Sequence, residues 1–175
     1  LQFIAQLSNV YARSPEATRR SWRFVVMASA AIMVPLATIA GTSTGGLLVG
    51  QLFSLDTALI ARVSEYLLLL CPLIMLNGQR HYFSGLLVQA KLTGWMTIIN
   101  FTYLGVVIAT LLGGLALAIK PTYVVVGAET LGVLVMLTLL LLARYRLYQP
   151  PPVREHEGVS YRELLGFFIP VSTTG

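Results

Sequence analysis

Charge is what this sequence has least of. Only 11% of its 175 residues are Asp, Glu, Lys or Arg, against roughly 25% in an ordinary soluble domain. That scarcity excludes both a water-soluble globule and a disordered chain. Cysteine is nearly absent too. The single Cys71 lies in an apolar run, cannot form an internal disulfide, and gives no zinc or redox motif. Enzyme motifs are missing: there is no Gly-x-Ser-x-Gly, no His-Glu-x-x-His and no P-loop. The expectation is therefore a protein that is not an enzyme and needs no cofactor. Three ligand types stand together at Glu155-His156-Glu157, but neighbours on a polar linker do not converge on one metal.

Apolar residues are abundant. They make up 56% of the chain, and the mean hydropathy is +0.77. A polytopic membrane protein is the class that fits. The formal charge of +5 would suggest nucleic acid in a soluble protein. Here basic residues collecting in cytoplasmic loops account for it, and no nucleic-acid partner is expected.

A membrane span needs about 20 mostly apolar residues, and four segments qualify, at about 22–50, 63–90, 94–119 and 122–143. The first is loosened by Gly41-Thr42-Ser43-Thr44-Gly45-Gly46, after which Ser54 or Asp56 can cap a new helix. The second is interrupted by Asn77-Gly78-Gln79-Arg80-His81, and Pro72 should bend it. Pro121 suits the first turn of the fourth. Residues 1–20 read as the last turns of an earlier helix followed by a cytoplasmic loop, 148–160 as a polar linker, and 161–175 as the start of a further span. Ser160 and Glu163 make a capping box there. With Leu1 in place of Met and a last segment that stops short, the chain reads as an internal piece of a longer protein.

Basic residues give the orientation. Arg13, Arg19, Arg20, Arg23, Lys91, Arg144, Arg146, Arg154 and Arg162 fall on one side, nine in all, against Arg62 and Lys120 on the other. The nine-residue side is expected in the cytoplasm, and the chain is expected to be a multi-pass protein of the cell (inner, cytoplasmic) membrane. Trp22, Trp95, Tyr123, Tyr145 and Tyr148 fit an aromatic belt.

Polar residues inside the spans carry the functional signal. Asn77, Arg80, His81 and Ser84 recur at i, i+3, i+4 and i+7, hence on one helical face. Thr93, Thr97, Asn100 and Leu104 or Tyr103 do likewise on the third span, and Glu129, Gly132, Val133 and Met136 on the fourth. An ionised group facing lipid costs at least ~2.5 kcal/mol, so these faces should turn toward protein or a water-filled cavity. Arg80 and Glu129 lie at depths that differ by about 6 Å, within reach of an arginine, if their helices are neighbours. The pair reads either as a purely structural ion pair or as part of a transport path. His81 reads as a hydrogen-bonded packing residue or a proton carrier, and Asn77 and Asn100 as interhelical glue or ligand contacts. Ala28-Ser29-Ala30-Ala31 and Gly113-Gly114 read as close-packing sites.

Longer patterns add a resemblance. Leu52-Phe53-x-x-Asp56, then Glu65-Tyr66-Leu67, Pro72 and Gly85-Leu86-Leu87-Val88-Gln89-Ala90 resemble the middle of one lobe of the multidrug and toxic-compound extrusion (MATE) transporters and their flippase relatives. Arg80-x-x-Phe83-Ser84-Gly85, Leu92-Thr93-Gly94-Trp95 and Tyr161-Arg162-x-Leu164-Leu165-x-Phe167-Phe168-x-Pro170 are most similar to the progressive ankylosis branch. The resemblance implies an all-α bundle that is part of a two-lobe, six-plus-six helix transporter, with 21–147 as four helices of the first lobe and 148–160 as the inter-lobe linker. It implies a secondary carrier that exports or flips a small or lipid-linked solute, coupled to H+ or Na+, by rocking against a second lobe of the same chain. In that carrier Asn77, Arg80, His81, Ser84, Asn100 and Glu129 would line the translocation pathway. A non-transporting membrane scaffold is the alternative, and it predicts no solvated cavity beside Arg80.

Overall fold

The computed structural model describes residues 2–12, 14–147 and 160–173, and these are helical throughout apart from the turns. Seven α-helices follow one another: α1 (Gln2–Tyr11), α2 (Pro15–Gly41), α3 (Ser43–Phe53), α4 (Thr57–Gln89), α5 (Thr93–Ala116), α6 (Pro121–Leu147) and α7 (Tyr161–Thr173). Four of them, α2, α4, α5 and α6, are long and apolar enough to cross a membrane. The fold is an all-α bundle and the chain a multi-pass membrane protein. The 148–160 linker, with Glu155-His156-Glu157 and Tyr148, lies outside the described residues except for Ser160.

Local chemistry sets the helix ends. Ser14 caps α2, its hydroxyl accepting from the Ala17 N–H at 3.1 Å. The first apolar segment is two helices rather than one. Thr42 leaves helical geometry at φ −114°, ψ 147°, and its hydroxyl accepts from Gly45 N–H at 3.2 Å to start α3. Asp56, not Ser54, caps α4, by accepting from Leu59 N–H at 2.7 Å. Ser54 instead closes α3 in the left-handed region at φ 52°. Pro121 opens α6. At α7 the Ser160 N–H donates to Glu163 Oε2 at 3.0 Å, and the Ser160 hydroxyl accepts from Arg162 N–H at 3.3 Å.

The polar interruption of the second span does not break it. α4 runs continuously through Pro72 and Asn77–His81 for 33 residues, ~50 Å at 1.5 Å per residue. It is the central helix, packed against α1, α2, α3, α5 and α6. One face of it carries Gly78, Tyr82 and Gly85 toward its neighbours. A Cβ on Gly78 would sit 2.2 Å from Ser29 Oγ of α2, and one on Gly85 2.3 Å from the Ala5 carbonyl oxygen of α1. Backbones this close are what small residues permit in membrane bundles. Between them the buried Tyr82 hydroxyl donates to the Thr18 carbonyl at 2.7 Å and meets Ser21 Oγ at 3.0 Å.

Contacts fix the directions. Ser29 meets Gly78 while Ser21 meets Tyr82, so α2 and α4 are antiparallel. Glu65 meets Tyr123 while Phe83 meets Arg144, so α4 and α6 are parallel. Gly114 sits on Val124, and Gly132 on Val107 and Tyr103, so α5 and α6 are antiparallel. At the end where α2 starts and α6 finishes, α7 docks through the buried Leu164 and an edge-on contact of Phe167 with Tyr11, ring centroids 5.5 Å apart. The outer faces stay apolar, with Leu52, Phe53, Phe101 and Leu112 all more than 60% exposed. Surface of that kind is stable against hydrocarbon, and the bilayer is its solvent.

Candidate functional site

The site grows from three side chains on three helices. Arg80 comes from α4, Tyr103 from α5 and Glu129 from α6, and each is half-buried. The Arg80 guanidinium lies over the Tyr103 ring, with Cζ 5.3 Å from the centroid. The Tyr103 hydroxyl donates to Glu129 Oε2 at 2.6 Å. Among the described residues Arg80 and Glu129 form no direct ion pair. The ion pair expected from their depths is replaced by a phenol that serves the cation with its π-face and the carboxylate with its proton.

The geometry follows from packing. Gly132 lets α5 approach α6, because a Cβ there would come within 3.0 Å of the Tyr103 ring. Glu129 lies one turn before Gly132 on the same face, so the ring that seats against Gly132 delivers its hydroxyl to Glu129. The expected face Glu129–Gly132–Val133–Met136 does point inward, with the last three buried. A cation over an aromatic face gains about 0.5–2 kcal/mol, and a hydrogen bond to a charged group about 1.5–3 kcal/mol. Tyr103 therefore compensates both charges without joining them.

The other expected residues divide. Asn77, His81 and Ser84 are half-buried on the same helix as Arg80 and continue its polar face. Asn100 does not join them. It is exposed, as are Thr93, Thr97 and Leu104, so that face of α5 turns away from the bundle and only Tyr103 turns in. Thr97 needs no interhelical partner there, since its hydroxyl donates to the Thr93 carbonyl at 3.3 Å. Of the close-packing sites, Ser29 and Gly114 sit at helix contacts, whereas Gly113 faces open space.

Three participants lacked a clear sequence signal. Tyr103 appeared only as an alternative to Leu104. It stands ~15 Å into α5, where a tyrosine hydroxyl must find a partner; that depth was the usable clue. The Trp22 indole N–H donates to Gln79 Oε1 at 2.6 Å, fastening α2 to α4 beside Arg80. The third is Glu65, whose carboxylate accepts from the Tyr123 hydroxyl at the far end of α4 and α6. Compared with known proteins, the chain matches no family model, no curated protein and no solved structure.

Proposed function

We propose that this bundle is one lobe of a secondary transporter of the MATE and flippase type in the cell membrane. The observation that carries the reading is the relay Arg80–Tyr103–Glu129 across three membrane-spanning helices. A purely structural pair gains most by direct contact in a low dielectric. Here the guanidinium keeps its fork of N–H donors off the carboxylate, leaving it for an anionic group of a solute. Asn77, His81 and Ser84 extend the polar face on which such a solute would lie. The motif resemblance supplies the transporter class and the second lobe. Transport of an anionic solute that depends on Arg80 is what separates this reading from the scaffold alternative.

The test is transport in membrane vesicles from cells expressing the full-length protein with both lobes, using carboxyfluorescein as an anionic probe and ethidium as a cationic one. Arg80→Lys should slow carboxyfluorescein by about tenfold or more, the worth of one charge-assisted hydrogen bond, although the charge is kept. Arg80→Ala should abolish it with expression unchanged. Recovery of transport in Arg80→Ala combined with Glu129→Gln would eliminate Arg80 as a solute ligand. Vesicles that move neither probe faster than empty ones would favour the scaffold.

A further inference from the structure

α4 and α6 do not close on each other along their whole length. Toward the Pro121 end a groove of about 350 Å³ opens between them, lined by Leu69 and Pro72 of α4 and by Tyr123, Val126, Thr130 and Leu134 of α6. The α6 residues recur every three or four positions, so they form one stripe. From 123 to 134 the stripe runs ~16 Å, about half the ~30 Å hydrocarbon core and hence one leaflet deep. The walls are apolar. The Thr130 hydroxyl is occupied by the Val126 carbonyl at 2.7 Å. Gly127 belongs to the same lining, and a Cβ there would meet nothing within 4 Å.

The mouth is chemically different. The Tyr123 hydroxyl donates to the Glu65 carboxylate and ties the two helices together. The Lys120 ammonium stands 5.9 Å over the Tyr123 ring, and Arg62 lies one turn before Glu65 on α4. Two cations thus stand at the mouth against one carboxylate, which is already engaged.

We propose that this groove is a phospholipid site: one acyl chain lies between α4 and α6, and the phosphate sits at Lys120, in the leaflet that meets the Pro121 end of α6. The length of ~16 Å and the apolar walls match one acyl chain within one leaflet. The charge selects an anionic headgroup. This inference does not depend on the transport reading, since a scaffold would carry the same groove.

The protein is reconstituted with equal phosphatidylglycerol and phosphatidylcholine and passed into detergent, and the lipid retained per chain is measured by mass spectrometry. Wild type should keep phosphatidylglycerol over phosphatidylcholine by about fivefold, the preference one basic residue confers near an anionic headgroup. Lys120→Gln should abolish the preference. Gly127→Leu should lower retention of both lipids, with thermal unfolding unchanged or slightly raised, because its side chain enters open space and a glycine inside a helix is replaced. Unchanged retention in Gly127→Leu would overturn the site. So would a Gly127→Leu variant that changes the oligomeric state by light scattering while retaining its lipid, since the groove would then be an interface between copies.

Discussion

Tyr82 shows what a polar atom requires inside this bundle. Its side chain is fully buried, and each hydroxyl in its neighbourhood has one proton to give. Tyr82 donates to the Thr18 carbonyl at 2.7 Å and lies 3.0 Å from Ser21 Oγ, which itself donates to the Ala17 carbonyl at 2.8 Å. Tyr82→Phe keeps the ring but loses both contacts of its hydroxyl, and should cost about 1 kcal/mol, the usual worth of such bonds in membrane proteins. Thermal unfolding in detergent, compared with the exposed control Tyr145→Phe, is the measurement; equal stability of the two would show that the Tyr82 hydroxyl contributes nothing. Nothing local announces this role, because the partner carbonyl is 64 residues away. Arg80 and Glu129 were legible for the opposite reason. A charge inside an apolar span stands out in any sequence, whereas the tyrosine between them looks like one more large side chain.

At the scale of the element, helix existence was readable and helix contact was not. Length and apolar runs mark α2, α4, α5 and α6, and the caps at Asp56, Pro121 and Ser160 follow from residue type. The break at Thr42 needed the cluster of small and hydroxyl residues around it, which weakens a helix without fixing where it ends. Glycine is the sharper case. Gly85 and Gly113 look alike in sequence, yet a Cβ on Gly85 would lie 2.3 Å from a backbone oxygen of α1, and one on Gly113 would meet nothing within 4 Å. Gly85→Ala should therefore destabilise by about 2–3 kcal/mol, because α1 must move away as a unit. Gly113→Ala should be neutral or gain up to ~1 kcal/mol from helix propensity. Unfolding of the two variants side by side decides the matter, and equal effects would mean that α1 does not seat on α4. The outward turn of Asn100 has the same origin, since a helical stripe tells which residues share a face but not what that face meets.

At the scale of the molecule, the bundle sorts charge between its two ends. Arg19, Arg20, Arg23, Lys91, Arg144, Arg146 and Arg162 stand where α2 and α7 start, where α4 turns into α5 and where α6 ends, and the alternating directions of the helices bring these points to one end. Arg62 and Lys120 stand at the other, where α4 and α6 begin. Seven against two among the described residues is the asymmetry that retains a loop in the cytoplasm during insertion. The bilayer adds its own constraint. α4 is ~50 Å long against a ~30 Å core, so it must tilt or project, and projection at the Thr57 end would leave Arg62 in water. Single cysteines at the exposed Glu16, Lys120 and Arg146, in a Cys71→Ala background, test the arrangement with a membrane-impermeant maleimide. On intact cells only the Lys120→Cys variant should label, and permeabilisation should expose the other two. Labelling of Glu16→Cys and Lys120→Cys from the same side would mean that α2 through α5 do not make three crossings. Labelling of none in intact cells and of all three after permeabilisation would mean that these apolar faces do not span the cell membrane.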